Sequence, residues 1–596
     1  MQRCVASLRE KEAELWVGED IGWEFKGYLS QDPIVIKTFR LNSCKKYTAK
    51  DKYAKLGAFH TLFVNGDMVM WADLVLIGGK VLTMNLSQPY AEAIAIKNDK
   101  IVKIGKNGEI SRWIGKNTKV INLKKRTVVP GFIDTHVHVA DFGRLLTWID
   151  LKDVKSIKEV QRKIRKHAQK IPEGKWILGY GWNQNSFIQK RYPNLRDLDE
   201  ASPDKPVVLY HQSGFMCIVN SKALELAGIT KKTSDPPGGK IEKDTETGAP
   251  TGVLLENSTD LVWKIIPEPD EKEIIEAASL ACEKIVEAGV TSVHWMVSSA
   301  TEIPVIQRLR AENKLPLRVH IIIPINILDH ITGLGSCTDF GDNLVRIGGV
   351  KIFADGGLVA RTAALHEPYS DDQTTKGRLL CTQEEMNALV SKAHKANLQV
   401  AIHAMGDQAI ETALIAIEKT LMEAPRKNHR HRIEHASVLN EELIQHIKKL
   451  AVVVSIQPHF IITEFLAWST ADRLGPTRAR WLYPLKTLIR EGIRVSGGSD
   501  CPMEPISPFS HIKAAVTRQF FPKERITVDE ALRMYTVNAA YASFEENIKG
   551  SIEEGKLADL TVTSRDPLTV PPSEIDDIEV KMTIVGGKVV YPKSFS

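Results

Sequence analysis

What the chain lacks narrows it first. No apolar run is long enough to cross a bilayer or to form the core of a secretory leader, so neither a membrane anchor nor a signal peptide is expected. Cysteine is scarce: there are seven in 596 residues, scattered and without a single C-x-x-C pair, the pattern of reduced thiols in a cytoplasmic protein. Charge is nearly balanced, and a net +6 is too small at this length to argue for a nucleic-acid partner. The densest basic stretch, 155–170, carries Ile157, Val160, Ile164 and Ala168 at helical spacing, so its charges read as the solvated face of a helix. What remains, 43% hydrophobic and 26% charged residues, is ordinary for a soluble globular protein large enough to hold more than one domain.

The most informative segment is Val128-Val129-Pro130-Gly131-Phe132-Ile133-Asp134-Thr135-His136-Val137-His138. Side chains alternate along a strand, so His136 and His138 face one side with Cα atoms about 6.6 Å apart, within reach of one metal ion. Two strand histidines alone serve equally well as core or surface residues. Four further apolar runs, however, end in chemistry-bearing residues: Lys351 in Val350-Lys351-Ile352-Phe353, His403 before Ala404-Met405-Gly406-Asp407, His435 in Arg432-Ile433-Glu434-His435, and Asp500 before Cys501-Pro502. Helical patterns at 384–397 and 408–423 lie between them, and strand–helix alternation implies a parallel sheet whose active face is at the C-terminal strand ends. Eight strands are expected, at 128–138, 290–295, 317–323, 350–354, 399–403, 431–435, 452–457 and 493–497. Eight is the number required for a (β/α)₈ barrel. Asp407 is expected to cap the helix that begins at Gln408, with no part in a metal site.

The barrel is expected to span 128–547, interrupted by an insertion at about 149–269 with its own strands. Short strands with Gly-containing turns near both ends, including Ile77-Gly78-Gly79-Lys80-Val81 and Val585-Gly586-Gly587-Lys588-Val589, predict a flanking β-sandwich built from 70–127 and 548–596. Residues 1–69 do not share this pattern. They are read as an N-terminal extension, either a genuine accessory segment or one that precedes a true start at Met68 or Met70.

This constellation resembles the amidohydrolase superfamily, in particular the branch called amidohydrolase family 3, which includes N-substituted formamide deformylases. The resemblance runs from about Met70 to the C-terminus. Its further motifs are Gly181-Trp182-Asn183, Val219-Asn220-Ser221-Lys222-Ala223-Leu224, Thr251-Gly252-Val253-Leu254-Leu255-Glu256, Gly289-Val290-Thr291-Ser292-Val293-His294, and Lys351 to Gly356 followed by Arg361-Thr362-Ala363 and Pro368-Tyr369.

The resemblance implies two divalent ions, with zinc expected ahead of iron or manganese. His136 and His138 would hold the more buried ion and His403 and His435 the second. Lys351 would bridge them as a carbamate, and Asp500 would serve as both ligand and catalytic base. A lysine in an apolar strand has a lowered pKa, which makes the neutral amine accessible to carbon dioxide. The implied reaction is hydrolysis of an amide, formamide or related C–N bond by metal-activated water. A mononuclear deaminase on the same barrel is the alternative, although it would not need Lys351. A catalytically inactive scaffold is the alternative from another class, but all six ligand positions are filled.

Trp182, His294, Trp295 and His459 are the expected substrate contacts. Two departures from the family pattern, Trp295-Met296 after His294 and Gly214-Phe215 in the insertion, point to a more apolar pocket. The expected partner is a small molecule, with no nucleic acid and no membrane; a homo-oligomer is compatible with the sequence.

Overall fold

The computed structural model describes residues 71–212, 216–463 and 470–595, and short strands among the first 69 residues. It divides into two units, Met1–Trp71 and Ala72–Ser596. In the first unit, Ala6–Arg9, Glu12–Leu15 and Gly27–Tyr28 form an antiparallel sheet, and Leu62–Val64 pairs with Asp67–Val69. The rest of the expected 1–69 extension lies outside the described residues.

In the second unit eight strands form one parallel sheet: β1 Phe132–Val137, β2 Val290–Met296, β3 Arg318–Pro324, β4 Val345–Phe353, β5 Gln399–Ala404, β6 Arg432–His435, β7 Val453–Ile456 and β8 Val495–Gly497. Every neighbouring pair is parallel, and the crossover helices cover the outside. The helix Gln383–Lys395 shows why these segments are helical. Thr382 and Glu385 form a reciprocal capping box at its start, and Met386, Val390 and Ala393 make one buried stripe. The (β/α)₈ reading therefore holds.

The expected first strand, 128–138, is in fact two strands in two sheets. Thr127–Pro130 pairs antiparallel with Leu560–Thr563, and β1 begins only at Phe132. Gly131 makes the transfer: its N–H still donates to Asp559 O at 2.9 Å, while the next N–H, from Phe132, donates to Gly289 O at the barrel. A Cβ at Gly131 would lie 2.2 Å from Thr291 Oγ1, so only glycine passes there. His138 is no longer in the strand but precedes the helix Val139–Thr147. The seam between β1 and β8 is closed at the same place, by Asp500 N–H to His136 O at 2.7 Å and His138 N–H to Cys501 O at 3.0 Å.

Strands from both ends of the second unit build two further sheets. One orders Lys100–Gly105, Ala93–Lys97, Leu74–Ile77 and Lys119–Asn122; the other orders Lys588–Tyr591, Val580–Val585, Leu560–Thr563, Thr127–Pro130, Lys80–Leu82 and Tyr90–Ala91. They share a core that includes Leu76, Ile94, Ile96, Val128, Leu560, Val562 and Ile584. Between β1 and β2 a six-stranded sheet, from Ile149–Asp150 to Pro250–Glu256, has its own core around Leu151, Ile177, Trp182 and Leu209. The basic stretch at 155–170 is the helix Ile157–Ala168, with Ile157, Val160 and Ile164 buried. Among the described residues no helix is long and apolar enough to cross a membrane.

Several histidines are buried in their neutral form. Burial pushes the imidazoles of His320 and His511 down to about 3, and those of His294 and His431 well below their usual value. The unfolded chain binds protons at these positions below about pH 6.5 while the folded chain does not. Stability is therefore fully present above that pH and is lost as pH falls, by about 1.4 kcal/mol per unit for each such group. Thermal unfolding followed from pH 7.5 to 5 should show a steadily falling midpoint; a flat profile would contradict this reading.

Candidate metal centre

The residues singled out in the sequence come from the C-terminal ends of five different strands. His136 is the hub. Its Nε2 lies 3.1 Å from Lys351 Nζ and 3.4 Å from Asp500 Oδ1, and His138 Nε2 is also 3.4 Å from Asp500 Oδ1. Ligand atoms of His136, His435 and Asp500 all fall within 4.8 Å of one another, and all three residues are buried. The rings of His403 and His435 are 4.6 Å apart. Two of the residues have left-handed backbone, His435 at φ 72° and Asp500 at φ 56°, a conformation uncommon outside glycine and found at functional sites.

Hydrogen bonds fix which nitrogen each imidazole presents. His136 Nδ1–H donates to Glu434 Oε2 at 2.6 Å, and His435 Nδ1–H donates to Gln457 Oε1 at 2.7 Å; in both rings the Nε2 lone pair is left for the centre. His403 is arranged the other way. Its Nε2–H faces Gly356 O at 3.2 Å, so Nδ1 carries the lone pair. Asp134 ties the first and last strands together below the site, its Oδ1 accepting from the N–H groups of His136 and Ser499, each at 3.0 Å. Asp355 does the same for β4 and β5, accepting from the N–H groups of Ala364, Met405 and Gly406. Asp407 does not cap its helix as expected: it is the first helical residue, Gly406 holds the N-cap position without a side-chain cap, and Asp407 Oδ1 accepts from Gln408 N–H and from His366 N–H.

The electrostatics follow from this packing. Burial pushes the Lys351 ammonium down to about 8, against the opposing pull of the Glu434 and Asp500 carboxylates. Burial would push the Asp500 carboxyl up, but the imidazoles of His136, His138 and His435 beside it outweigh that and hold Asp500 well below the usual carboxylate range. His136 and His403 are held neutral, chiefly by burial.

The expected substrate contacts fare differently. Trp182 is fully buried in the core of the inserted sheet, its indole N–H on Leu209 O at 2.9 Å. His294 points into the barrel interior, where Nδ1 accepts from Arg432 at 2.7 Å. Trp295 points outward and donates to Glu302 Oε2 at 2.7 Å, as alternation along β2 requires. These three have no exposed surface, so Trp295 gives no support to an apolar pocket. His459 remains partly exposed beyond β7, with Nδ1 2.5 Å from Glu504 Oε2. Gly214-Phe215 lies outside the described residues.

Sequence reading passed over Glu434 and Arg432. The usable signal was two charged residues two apart in a buried strand, which must share the barrel interior. Arg432 is fully buried: Nε is 2.5 Å from Glu434 Oε1, and a terminal nitrogen donates to Thr135 O at 2.8 Å. Gln457 and Glu504 carried no such signal.

Comparison with known proteins agrees with this site and fold. Residues 119–591 match the model of the Amidohydrolase family. The chain is 34% identical over 533 residues to YtcJ of Bacillus subtilis (strain 168), covering 87% of this chain and 99% of that protein. It is 29% identical over 551 residues to the N-substituted formamide deformylase of Arthrobacter pascens, covering 89% and 100%. Among solved structures, an uncharacterized metal-dependent hydrolase from Pyrococcus furiosus superposes with a TM-score of 0.70 at 32% identity, over 83% of this chain and all of that one. The chain belongs to the amidohydrolase family, in its family 3 branch.

Proposed function

We propose that the chain is a hydrolase of amides, formamides or related C–N bonds, with two divalent ions, zinc by preference, held by His136, His138, Lys351, His403, His435 and Asp500. The observation that carries this reading is the convergence of a buried lysine amine, a buried carboxylate and four imidazoles, three of them tautomerically fixed by hydrogen bonds, at one end of the barrel. This donor set fits divalent metal, since neutral imidazoles and carboxylates suit zinc. Ions bound there would polarise a carbonyl and lower the pKa of a water molecule.

The chain's own residues supply the rest. His136 and His138 would hold one ion and His403 and His435 the other. The neutral Lys351 amine would attack the carbon of carbon dioxide and release its proton to solvent, and the resulting carbamate would supply oxygen ligands to the ions. Asp500, ionised and beside His136 and His138, takes the proton from the attacking water and passes it to the departing nitrogen. Glu434 and Gln457 keep two imidazoles in the ligating tautomer.

A one-ion deaminase is the second reading. It is favoured by the tight grouping of His136, His435 and Asp500 alone, with His403 Nε2 turned to a backbone carbonyl. Metal content of protein purified without chelator separates the two. About two ions per chain are expected, falling in Lys351→Ala; one ion, unchanged by the substitution, would remove the bridge and favour the deaminase.

A further inference from the structure

A cavity of about 570 Å³ adjoins the metal centre, of a size suited to a small molecule. Asp141, Pro502 and Met503 form its near end. Both sides of that end join the centre: Met503 N–H donates to Asp500 O at 2.8 Å, and Ser298, within 3.3 Å of His138 Nδ1, donates to Asp141 Oδ2 at 2.9 Å. The far wall is aromatic. Trp148 and Tyr210 are nearly parallel with ring centres 5.9 Å apart, and Trp263 stands edge-on to both at 6.1 Å.

Two cations also line this cavity. Arg144 lies over the Trp263 ring at 5.6 Å and Lys152 over the Tyr180 ring at 5.0 Å. Among the described residues no carboxylate comes within 4.0 Å of Lys152 Nζ, and the partner of Arg144 is Glu268 at 3.8 Å, itself 89% exposed. An aromatic wall by itself would accept a neutral ring or an organic cation. The two cations decide between ligand types, because they repel a positive group and attract a negative one.

We infer that the substrate of this site carries a planar aromatic group bearing an anion, with the ring on Trp148, Tyr210 and Trp263 and the anion on Lys152 and Arg144. The inference rests on the proposed C–N hydrolysis only for the group placed at the metal centre.

Two measurements on the metal-loaded enzyme test it. The first is binding of p-toluate against p-toluamide, read by quenching of tryptophan fluorescence. The acid should bind about tenfold more tightly, the ratio collapsing to about one in Lys152→Gln, whose side chain is exposed and whose fold is therefore safe. The second is kcat/KM for N-formyl-4-(aminomethyl)benzoate against N-formyl-4-methylbenzylamine, with the same preference and the same loss. Equal binding of acid and amide by the wild type, or a preference that survives Lys152→Gln, would overturn the inference. A Lys152-dependent preference for the acid in binding, with neither formamide hydrolysed, would support the pocket's ligand class and count against the C–N reading alone.

Discussion

Asp500→Asn should lower kcat about 10²–10⁴-fold, the range associated with loss of a positioned proton acceptor, while the protein still folds, with a lower melting midpoint because the stabilising carboxylate is gone. Asparagine has the same shape and tolerates the left-handed backbone that Asp500 adopts at φ 56°. The hydrogen bond from the residue 500 N–H to His136 O, which closes the β1–β8 seam, is a backbone contact and persists. What disappears is the negative charge 3.4 Å from both His136 Nε2 and His138 Nε2. Steady-state kinetics and a melting curve on the same preparation check this. A kcat within tenfold of wild type would move the proton-transfer role elsewhere, and His459, paired with Glu504, is the next group to examine.

Arg432→Met should be strongly destabilising, by about 3–5 kcal/mol, because it leaves the Glu434 carboxylate buried without its counter-charge. Arg432 also gives up contacts to His294 Nδ1 and Thr135 O, so the loss reaches three strands at once. Adding Glu434→Gln to Arg432→Met should recover part of that stability, since no isolated charge remains. The same double variant deprives His136 Nδ1 of its carboxylate acceptor, so metal affinity should fall about 10–100-fold even as stability returns. Denaturant unfolding and a metal titration read the two effects separately. An Arg432→Met protein as stable as wild type would show that the buried pair contributes nothing net.

The barrel and the six metal-centre candidates were legible in the sequence because they depend on local pattern. Apolar runs of strand length, helices of 3.6-residue period between them, and a polar residue at each run's end all survive translation into one dimension. The misplacements share a cause. Residues 128–138 read as one strand although Pro130-Gly131 is a local breaker signal; the steric demand that makes Gly131 the point of transfer between sheets comes from Thr291, far away in the chain. Trp182 and Trp295 looked like substrate contacts, but tertiary packing turned both indoles to internal acceptors. His294 faces the interior as alternation predicts, yet at a depth where it meets Arg432 and not a substrate.

The sequence by itself thus determined the fold class, the order of the strands and which residue types stand at the strand ends, since periodicity and residue type are local properties. Only the tertiary structure decided which imidazole nitrogen faces the centre, that Glu434 and Arg432 stand behind His136, and that Trp148, Tyr210 and Trp263 share a wall with two cations. Those are relations between residues tens to hundreds of positions apart, set by how the inserted sheet and the eight strands pack. Their energies depend on burial and distance, which a linear pattern does not encode.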